Sequence, residues 1–154
     1  MQIVNGSNQQ ILKVLKGVTD PEIPVLSLQD LGVIRNVSSS DMTIEVTITP
    51  TYSGCPAMEL MEQSIVELLS GEFSKEIIVI TKLSPAWTTD WMTEHGKKVL
   101  FEYGIMPPTK TGKIICPQCQ SQQVELISQF GSTACKALYR CTDCLEPFDY
   151  FKCH

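Results

Sequence analysis

Two pairs of cysteines near the C-terminus have the spacing of metal ligands. Cys116 and Cys119 form one C-x-x-C motif, Cys141 and Cys144 form another, and 21 residues separate the two motifs. Each such turn presents two thiolates to one side of an ion, and tetrahedral zinc takes four soft ligands. A module of about 40 residues buries too little apolar surface to fold alone, so a structural metal would supply the missing stability. The spacing therefore predicts a zinc ribbon. An iron–sulfur cluster on the same four thiolates and a dithiol redox pair are the alternatives.

Another cysteine, Cys55, stands far from the others in the sequence. It lies in a loop between a predicted strand over 42–49 and a predicted helix over 56–69. Because proline suits the first position of a helix, Pro56 places Cys55 at or near the N-cap. There the helix dipole and free N–H groups favour the thiolate, the form that binds metals and attacks electrophiles. The alternative is a buried structural thiol, since free cysteine is among the most buried residue types.

Hydrolytic chemistry at Cys55 would need a base that the sequence does not offer nearby. The two histidines are His154 and His95, and His95 is expected to be solvated or partly packed inside a helix. The sequence contains no Ser/His/Asp set, no glycine-rich phosphate loop and no HExxH motif. Asp20 and Asp30 are expected to cap turns rather than to act as paired carboxylates.

Several further residues leave two interpretations open. Trp87 and Trp91 are expected in the core, although a ligand pocket would also use such side chains. Cys135 and Cys153 are either a small residue near the ribbon tip and a tail thiol, or additional thiols that help to hold a transferred metal or cluster. Four aromatic residues of the C-terminal module are interpreted as a contact face for a protein partner. They are Phe130, Phe148, Tyr150 and Phe151.

Charge and composition exclude several classes of function. The net charge is −5; residues 1–111 carry all of it, and residues 112–154 are neutral. Neither part is a basic surface, which argues against a nucleic-acid partner. Residues 1–6 show no secretory signal, and no apolar run approaches the roughly 20 residues of a membrane span. We therefore expect a cytoplasmic protein without a membrane partner, whose cysteines are metal ligands or reactive thiols rather than disulfides.

The order of the predicted elements favours an α+β fold. It is a small two-layer domain with a three-stranded mixed sheet and three helices, followed by a C-terminal zinc-ribbon β-hairpin module. The strand over 77–81 is β-branched and almost wholly apolar, so it is predicted to be the central one. The other predicted elements are a helix over 9–18, a hairpin of strands over 31–37 and 42–49, a helix over 56–69, and a helix that ends at Gly104.

Domain boundaries follow from the same pattern. Residues 1–105 form the predicted α+β domain and residues 114–154 the predicted ribbon. The stretch over 106–113 is rich in proline, threonine and lysine, and we interpret it as a linker.

Three motifs together resemble a known family. The segments Asp20-Pro21-Glu22-Ile23-Pro24, Asp30-Leu31-Gly32-Val33-Ile34 and Thr49–Pro56 are similar to the MIP-eighteen-like (SufT-like) domain of iron–sulfur assembly factors. This resemblance covers roughly residues 8–105. With the ribbon attached, the whole chain resembles the PaaD (PaaJ) family, which is encoded with the phenylacetyl-CoA ring epoxidase of aerobic phenylacetate degradation.

The resemblance implies an iron–sulfur maturation factor and not an enzyme. It implies that the protein delivers or repairs the 2Fe–2S cluster of the reductase component of the ring epoxidase. Cys55 matches the reactive cysteine of the family and is predicted to bind a labile cluster. The residues predicted to support its loop are Asp20, Thr49, Ser53 and Gly54. The implied cofactors are Zn²⁺ in the ribbon and a transient iron–sulfur cluster.

The implied partners are the epoxidase reductase, other iron–sulfur assembly proteins and, in a homodimer, a second copy of the chain. The alternative function is a non-catalytic subunit or assembly adaptor of the ring-epoxidase complex itself. One departure from the family pattern is the run Thr51-Tyr52-Ser53, which is shorter and less aromatic in many relatives. We expect Tyr52 to alter access to Cys55.

Overall fold

The chain forms two units, residues 1–92 and 93–154, in a computed structural model that describes residues 6–52 and 56–153. The helices and strands of the first unit are α1 (Gly6–Leu15), α2 (Leu28–Leu31), β1 (Ile34–Ser39), β2 (Thr43–Ile48), α3 (Met58–Glu72) and β3 (Glu76–Thr81), followed by a 3₁₀ turn (Thr89–Trp91). Those of the second are α4 (Glu94–Tyr103), β4 (Ile105–Met106), β5 (Val124–Ser128), β6 (Lys136–Cys141) and β7 (Pro147–Phe151).

The sheet of the first unit is organised around β2. It pairs with β1 in antiparallel and with β3 in parallel orientation, which gives the order β1-β2-β3. Ile44, Val46 and Ile48 alternate along β2 and are completely buried. In the same unit α1 packs against β1 and α3, and α3 packs against β3. These features confirm the predicted α+β fold with a three-stranded mixed sheet.

The prediction that strand 77–81 is central was wrong, because β3 lies at an edge of the sheet. Its side chains are half-buried or exposed, and Ile78 is 37% exposed. β-branched residues favour any pleated and partly buried surface. Their enrichment therefore identified a strand but not its position in the sheet.

The structure contains a short helix, α2, that the sequence pattern did not predict. Ser27 caps it, because its Oγ accepts the N–H of Asp30 at 3.1 Å and donates to the Asp30 carboxylate at 3.0 Å. Gly32 ends the helix in the left-handed conformation, with φ +83°. The strand predicted over 31–37 consequently begins only at Ile34. The described residues therefore contain four helices instead of the three that were predicted, since a single capped turn is too short for periodicity to detect.

The longer helices agree with the prediction to within a few residues. α1 and α3 are displaced by about three residues at one or both ends, which is ordinary for a helix boundary. Thr93 caps α4 by accepting the N–H of Gly96 at 2.9 Å, and Gly104 ends it as predicted. In the described part of the chain, no helix is both long and apolar enough to cross a bilayer.

The second unit contains more than the predicted hairpin. Its sheet has the order β4-β7-β6-β5, in which β6 is antiparallel to both neighbours and β4 is parallel to β7. The prediction of an aromatic contact face was largely wrong, because Phe148, Tyr150 and Phe151 are buried. Phe130 alone of the four aromatics is exposed. A module this small has few apolar residues, so its aromatics are needed in the core.

The first unit ends at Met92, and Met106 belongs to the buried cluster of the second unit. Met106 lies in this cluster because β4 pairs with β7, which places Met106 beside Tyr150. The division into functional domains over 1–105 and 114–154, with a linker over 106–113, stays a prediction.

We expect Gly32→Ala to destabilise the first unit by about 2–4 kcal/mol. A Cβ at this position would lie 2.6 Å from the carbonyl oxygen and 2.7 Å from the Cβ of Trp91. Steric overlap would add to the strain of a left-handed alanine. Urea denaturation gives the free energy of unfolding. Gly104→Ala is the matched control, because Gly104 also has a positive φ but open space around it, so it should lose only about 1 kcal/mol. Equal losses would contradict the importance of the Trp91 contact.

Candidate metal centre

The two C-x-x-C turns have the same backbone structure. In the first, the N–H of Cys116 donates to the carbonyl of Ser121; in the second, the N–H of Cys141 donates to the carbonyl of Glu146. Both bonds are 2.9 Å long and both span five residues. The fourth residue after the first cysteine is left-handed in each turn, with φ +62° at Gln120 and +66° at Leu145. Each turn therefore presents its two thiols in the same way.

Contacts between the turns hold them side by side. The N–H and the hydroxyl of Thr142 both donate to the carbonyl of Gln123, at 2.7 and 3.0 Å. The hydroxyl of Ser121 donates to the carboxylate of Asp143. The two halves of the site are thus brought together by the protein as well as by any ion between them.

The four sulfur atoms form one cluster. The Sγ atoms of Cys116, Cys119, Cys141 and Cys144 all lie within 4.8 Å of one another. Two of the separations are 3.6 Å, between Cys116 and Cys144, and 3.5 Å, between Cys119 and Cys141. A tetrahedron with zinc–sulfur bonds of about 2.3 Å has sulfur–sulfur edges of roughly 3.8 Å. The donor set and its dimensions therefore fit one tetrahedral ion.

The same dimensions argue against a polynuclear cluster at this site. A cluster separates its cysteine ligands by metal–metal distances in addition to metal–sulfur bonds. Four sulfurs within 4.8 Å of one another leave space for a single ion. Of the alternatives left open by the spacing, the mononuclear site is the one that the geometry favours.

The thiols of the cluster differ in acidity. The N–H of Cys144 donates to the sulfur of Cys141 at 3.4 Å, and this bond lowers the pKa of Cys141 to about 7. A bond from the N–H of Glu146 favours the thiolate of Cys144, but partial desolvation of the sulfur and the three neighbouring thiols raise its pKa to about 12. Four adjacent thiols therefore do not all ionise alone, and a divalent cation would have to displace their protons.

The two remaining C-terminal cysteines lie outside this cluster. Cys135 is buried and its sulfur lies 3.0 Å from the hydroxyl of Thr133. Cys153 is exposed, and its thiol donates to the carbonyl of Thr109 at 3.3 Å. A role for either thiol in holding a transferred metal stays a prediction.

The loop that carries Cys55 is described only at its two ends. Ser53, Gly54 and Cys55 lie outside the described residues. On one side Thr49 is buried, and its N–H donates to the carbonyl of Val33 at 2.9 Å. On the other side α3 begins at Met58, with Ala57 at the N-cap position. Pro56 therefore precedes the helix, and the prediction that it occupies the first helical position was wrong.

Asp20 has the turn-capping role that the sequence favoured. Its buried carboxylate accepts the N–H groups of Glu22 at 2.7 Å and of Ile23 at 3.0 Å. These bonds fix the turn of the Asp-Pro-Glu segment. A role for Asp20 or Thr49 in supporting the Cys55 loop stays a prediction.

The two tryptophans occupy different environments. Trp87 is buried and donates its indole N–H to the carbonyl of Leu31 at 3.0 Å, as expected for a core residue. Trp91 is only half-buried. The guanidinium carbon of Arg35 lies 3.5 Å from the centre of the Trp91 ring. Arg35 had no predicted role, although it is the only arginine in the sequence before Arg140.

Comparison with known proteins identifies both parts of the chain. Residues 8–75 match a family described as iron–sulfur cluster assembly protein, and residues 105–152 match the PaaD zinc beta ribbon domain. The chain is 48% identical over 151 residues to an Escherichia coli protein that is named as one subunit of a "Putative 1,2-phenylacetyl-CoA epoxidase". The alignment covers 94% of this chain and 92% of the relative.

A shorter relative and a solved structure match the N-terminal part. A "Fe-S protein maturation auxiliary factor" of Porphyromonas gingivalis is 33% identical over 104 residues, which is 65% of this chain and 93% of the relative. A crystal structure of a domain of unknown function, DUF59, from Bacillus anthracis aligns with a TM-score of 0.56 and 25% identity. It covers 60% of this chain and 89% of the solved one. With an iron–sulfur assembly domain followed by this type of ribbon, the chain belongs to the PaaD family.

Proposed function

We propose that this protein is an iron–sulfur maturation factor that handles a cluster at Cys55 and keeps a separate, permanent metal in its ribbon. The observation that carries the proposal is the match of residues 8–75 to an iron–sulfur assembly family. The maturation factor of Porphyromonas gingivalis supports the same general role, because nearly all of it aligns with this chain.

The arrangement of thiols suits the two tasks. A cluster in transit needs few and exchangeable ligands, whereas a structural ion needs a closed set. The four clustered thiols complete a tetrahedral site by themselves. Cys55 is separated in sequence from every other cysteine and supplies one thiolate per chain. A cluster would then be shared between Cys55 of two chains, in a homodimer, or between Cys55 and a client.

The proposed client is the reductase component of the phenylacetyl-CoA ring epoxidase. The name of the Escherichia coli relative, which is that of an epoxidase subunit, supports this link, and the two proteins align over almost their full lengths. In this role the protein delivers or repairs the 2Fe–2S cluster of the reductase and does not turn over substrate itself. Other iron–sulfur assembly proteins are its further proposed partners. The work would take place in the cytoplasm, as expected from the sequence.

We propose zinc as the ion of the ribbon. Cys116 and Cys141 would bind it from the buried side of the cluster, and Cys119 and Cys144 from the exposed side. When bound, zinc supplies cross-linking of the two turns and no redox chemistry. Cys116 and Cys141 also belong to the buried cluster of the second unit, together with Phe148 and Tyr150. Loss of the ion would therefore loosen the core as well as the turns.

Replacement of Cys116 by serine should abolish the metal site. We expect one zinc ion per chain in the parent protein and close to none in Cys116→Ser, with loss of the near-ultraviolet circular dichroism of the packed aromatics. Tyr139 stacks on Phe148 and meets Tyr150 edge-on, so these rings report on the core. Cys153→Ser is the control, because that thiol is exposed and outside the cluster. A Cys116→Ser protein with full zinc content and parental stability would show that the ribbon does not depend on this ligand.

Replacement of Cys55 by alanine should have the opposite pattern. We expect Cys55→Ala to retain its zinc and its free energy of unfolding, while the iron content of reductase produced with it falls several-fold. Iron and acid-labile sulfide per reductase are the measurements, with Ser70→Ala, a change at an exposed position of the same unit, as the control. A normal cluster content in reductase produced with Cys55→Ala would contradict the proposed role of Cys55.

The second candidate function is a non-catalytic subunit or assembly adaptor of the epoxidase complex. It is favoured by the word "subunit" in the name of the Escherichia coli relative. The two functions separate when epoxidase is reconstituted with reductase that already carries its cluster. A maturation factor should then be dispensable for epoxidase activity. If activity still requires it, the adaptor function is correct.

A further inference from the structure

A β-bulge in the first unit carries the arginine that lies over Trp91. Ile34 of β1 pairs with Ile48 of β2, but the next pair joins Asn36 to Thr47. Two residues of β1 therefore oppose one residue of β2, and Arg35 is the inserted one. Bulges redirect side chains and are frequent next to functional sites. Here the bulge interrupts the alternation of β1 at the one position that holds an arginine.

The guanidinium of Arg35 has a defined position. It lies 3.5 Å above the centre of the Trp91 ring, and its Nη1 is 3.5 Å from the carbonyl of Gly32. Burial lowers the pKa of Arg35, but an arginine stays protonated in proteins. Stacking on tryptophan leaves the edge of the guanidinium free to donate hydrogen bonds in its plane. Arg35 is therefore a preorganised cation.

Arg35 and Trp91 line a cavity of about 240 Å³ together with a second cation, Lys82. The backbone N–H of Lys82 donates to the carbonyl of Ile48 at 2.9 Å, which extends the β2–β3 pairing to this residue. Lys82 is exposed, so a solvent-accessible cation borders the same cavity as the stacked one.

Two threonine hydroxyls complete the polar lining. Thr47 and Thr49 are 9% and 3% exposed and border the cavity. In the described part of the chain, every fully buried side-chain oxygen or nitrogen has a hydrogen-bond partner, and no described residue provides one for these two hydroxyls. We take their oxygens to be open to the cavity that they border. Donors aimed into a cavity are typical of a binding site.

The charge of the cavity is opposite to that of its surroundings. Residues 1–92 contain five lysines and arginines and eleven acids. Two of the five cations line this cavity, and among its described lining residues there is no acid. The remaining lining side chains include Asn36 and Ser84, which are also hydrogen-bond donors. A cationic, donor-rich space in an acidic unit selects for a negative ligand.

We propose that this cavity binds a small oxyanion, a phosphate or a carboxylate group. Arg35 would hold it by charge-assisted hydrogen bonds, Lys82 would neutralise it, and the hydroxyls of Thr47 and Thr49 would donate to its oxygens. The cavity's volume of about 240 Å³ is many times the roughly 10–15 Å³ that a cavity needs to hold one water molecule. That is enough for a free phosphate, a small organic acid or the anionic end of a longer molecule. The inference does not depend on the proposed cargo of Cys55.

The test is a titration of the full-length, zinc-loaded protein with sodium phosphate and, separately, with sodium succinate, at constant ionic strength set by sodium chloride. Binding is followed by isothermal calorimetry and by the NMR shift of the Trp91 indole N–H. We expect saturable binding of at least one of the two anions, with the Trp91 signal moving in step with the heat. The preferred anion then distinguishes a phosphate ligand from a carboxylate ligand.

Three variants assign the binding to the cavity. Arg35→Gln and Lys82→Gln each remove one cation, and we expect the dissociation constant to rise by about tenfold for Arg35→Gln and by a smaller factor for Lys82→Gln. Lys16→Gln is the matched control, because Lys16 is an exposed cation of the same unit that does not line the cavity. It should bind as the parent protein does.

Two results would overturn the proposal. One is the absence of saturable binding for both phosphate and succinate. The other is binding that Lys82→Gln leaves unchanged or that Lys16→Gln weakens equally. Because Lys82 is exposed, its replacement should not disturb folding, so the test holds even if Arg35→Gln destabilises the sheet.

Discussion

Four thiols held within 4.8 Å of one another impose the main constraint on the C-terminal half of the protein. Four adjacent thiolates repel one another unless a cation binds between them. Two similar turns nevertheless hold the four cysteines together. The sheet of that unit packs its aromatics against two of the four cysteines. A site that is built into a core in this way suits an ion that stays in place. For this reason, the cluster transfer that we propose is placed at Cys55 and not at these four thiols.

In the first unit, the two faces of strand β2 have different roles. On one face of β2, Ile44, Val46 and Ile48 are completely buried and supply the core. On the other face, Thr47 borders a cavity beside a bulged arginine. Because side chains alternate along a strand, the same six residues can stabilise the fold and shape a binding site. The polar positions of β2 are therefore open to functional use without loss of the core.

The sequence predicted features that depend on local chemistry and missed features that depend on tertiary pairing. Two C-x-x-C motifs predicted the cysteine cluster, since ligand spacing within a turn is local, and the alternation of residues 43–48 predicted β2. The edge position of β3 could not be predicted, because composition does not reveal which neighbours a strand has. The burial of Phe148 and Tyr150 was missed for the same reason. The bulge at Arg35 depends on the register between two strands, which no single-strand pattern contains.

The position of the two cysteine turns around one site has a consequence for the stability of the ribbon. An ion that joins them acts as a cross-link between chain segments with 21 residues between them. Unlike a disulfide, it joins them only in the folded chain, because the unfolded chain does not hold the four thiols together. The stability of the ribbon should then increase with the logarithm of the free metal concentration. The stability of the ribbon therefore depends on the metal concentration around the protein as well as on the protein's own contacts.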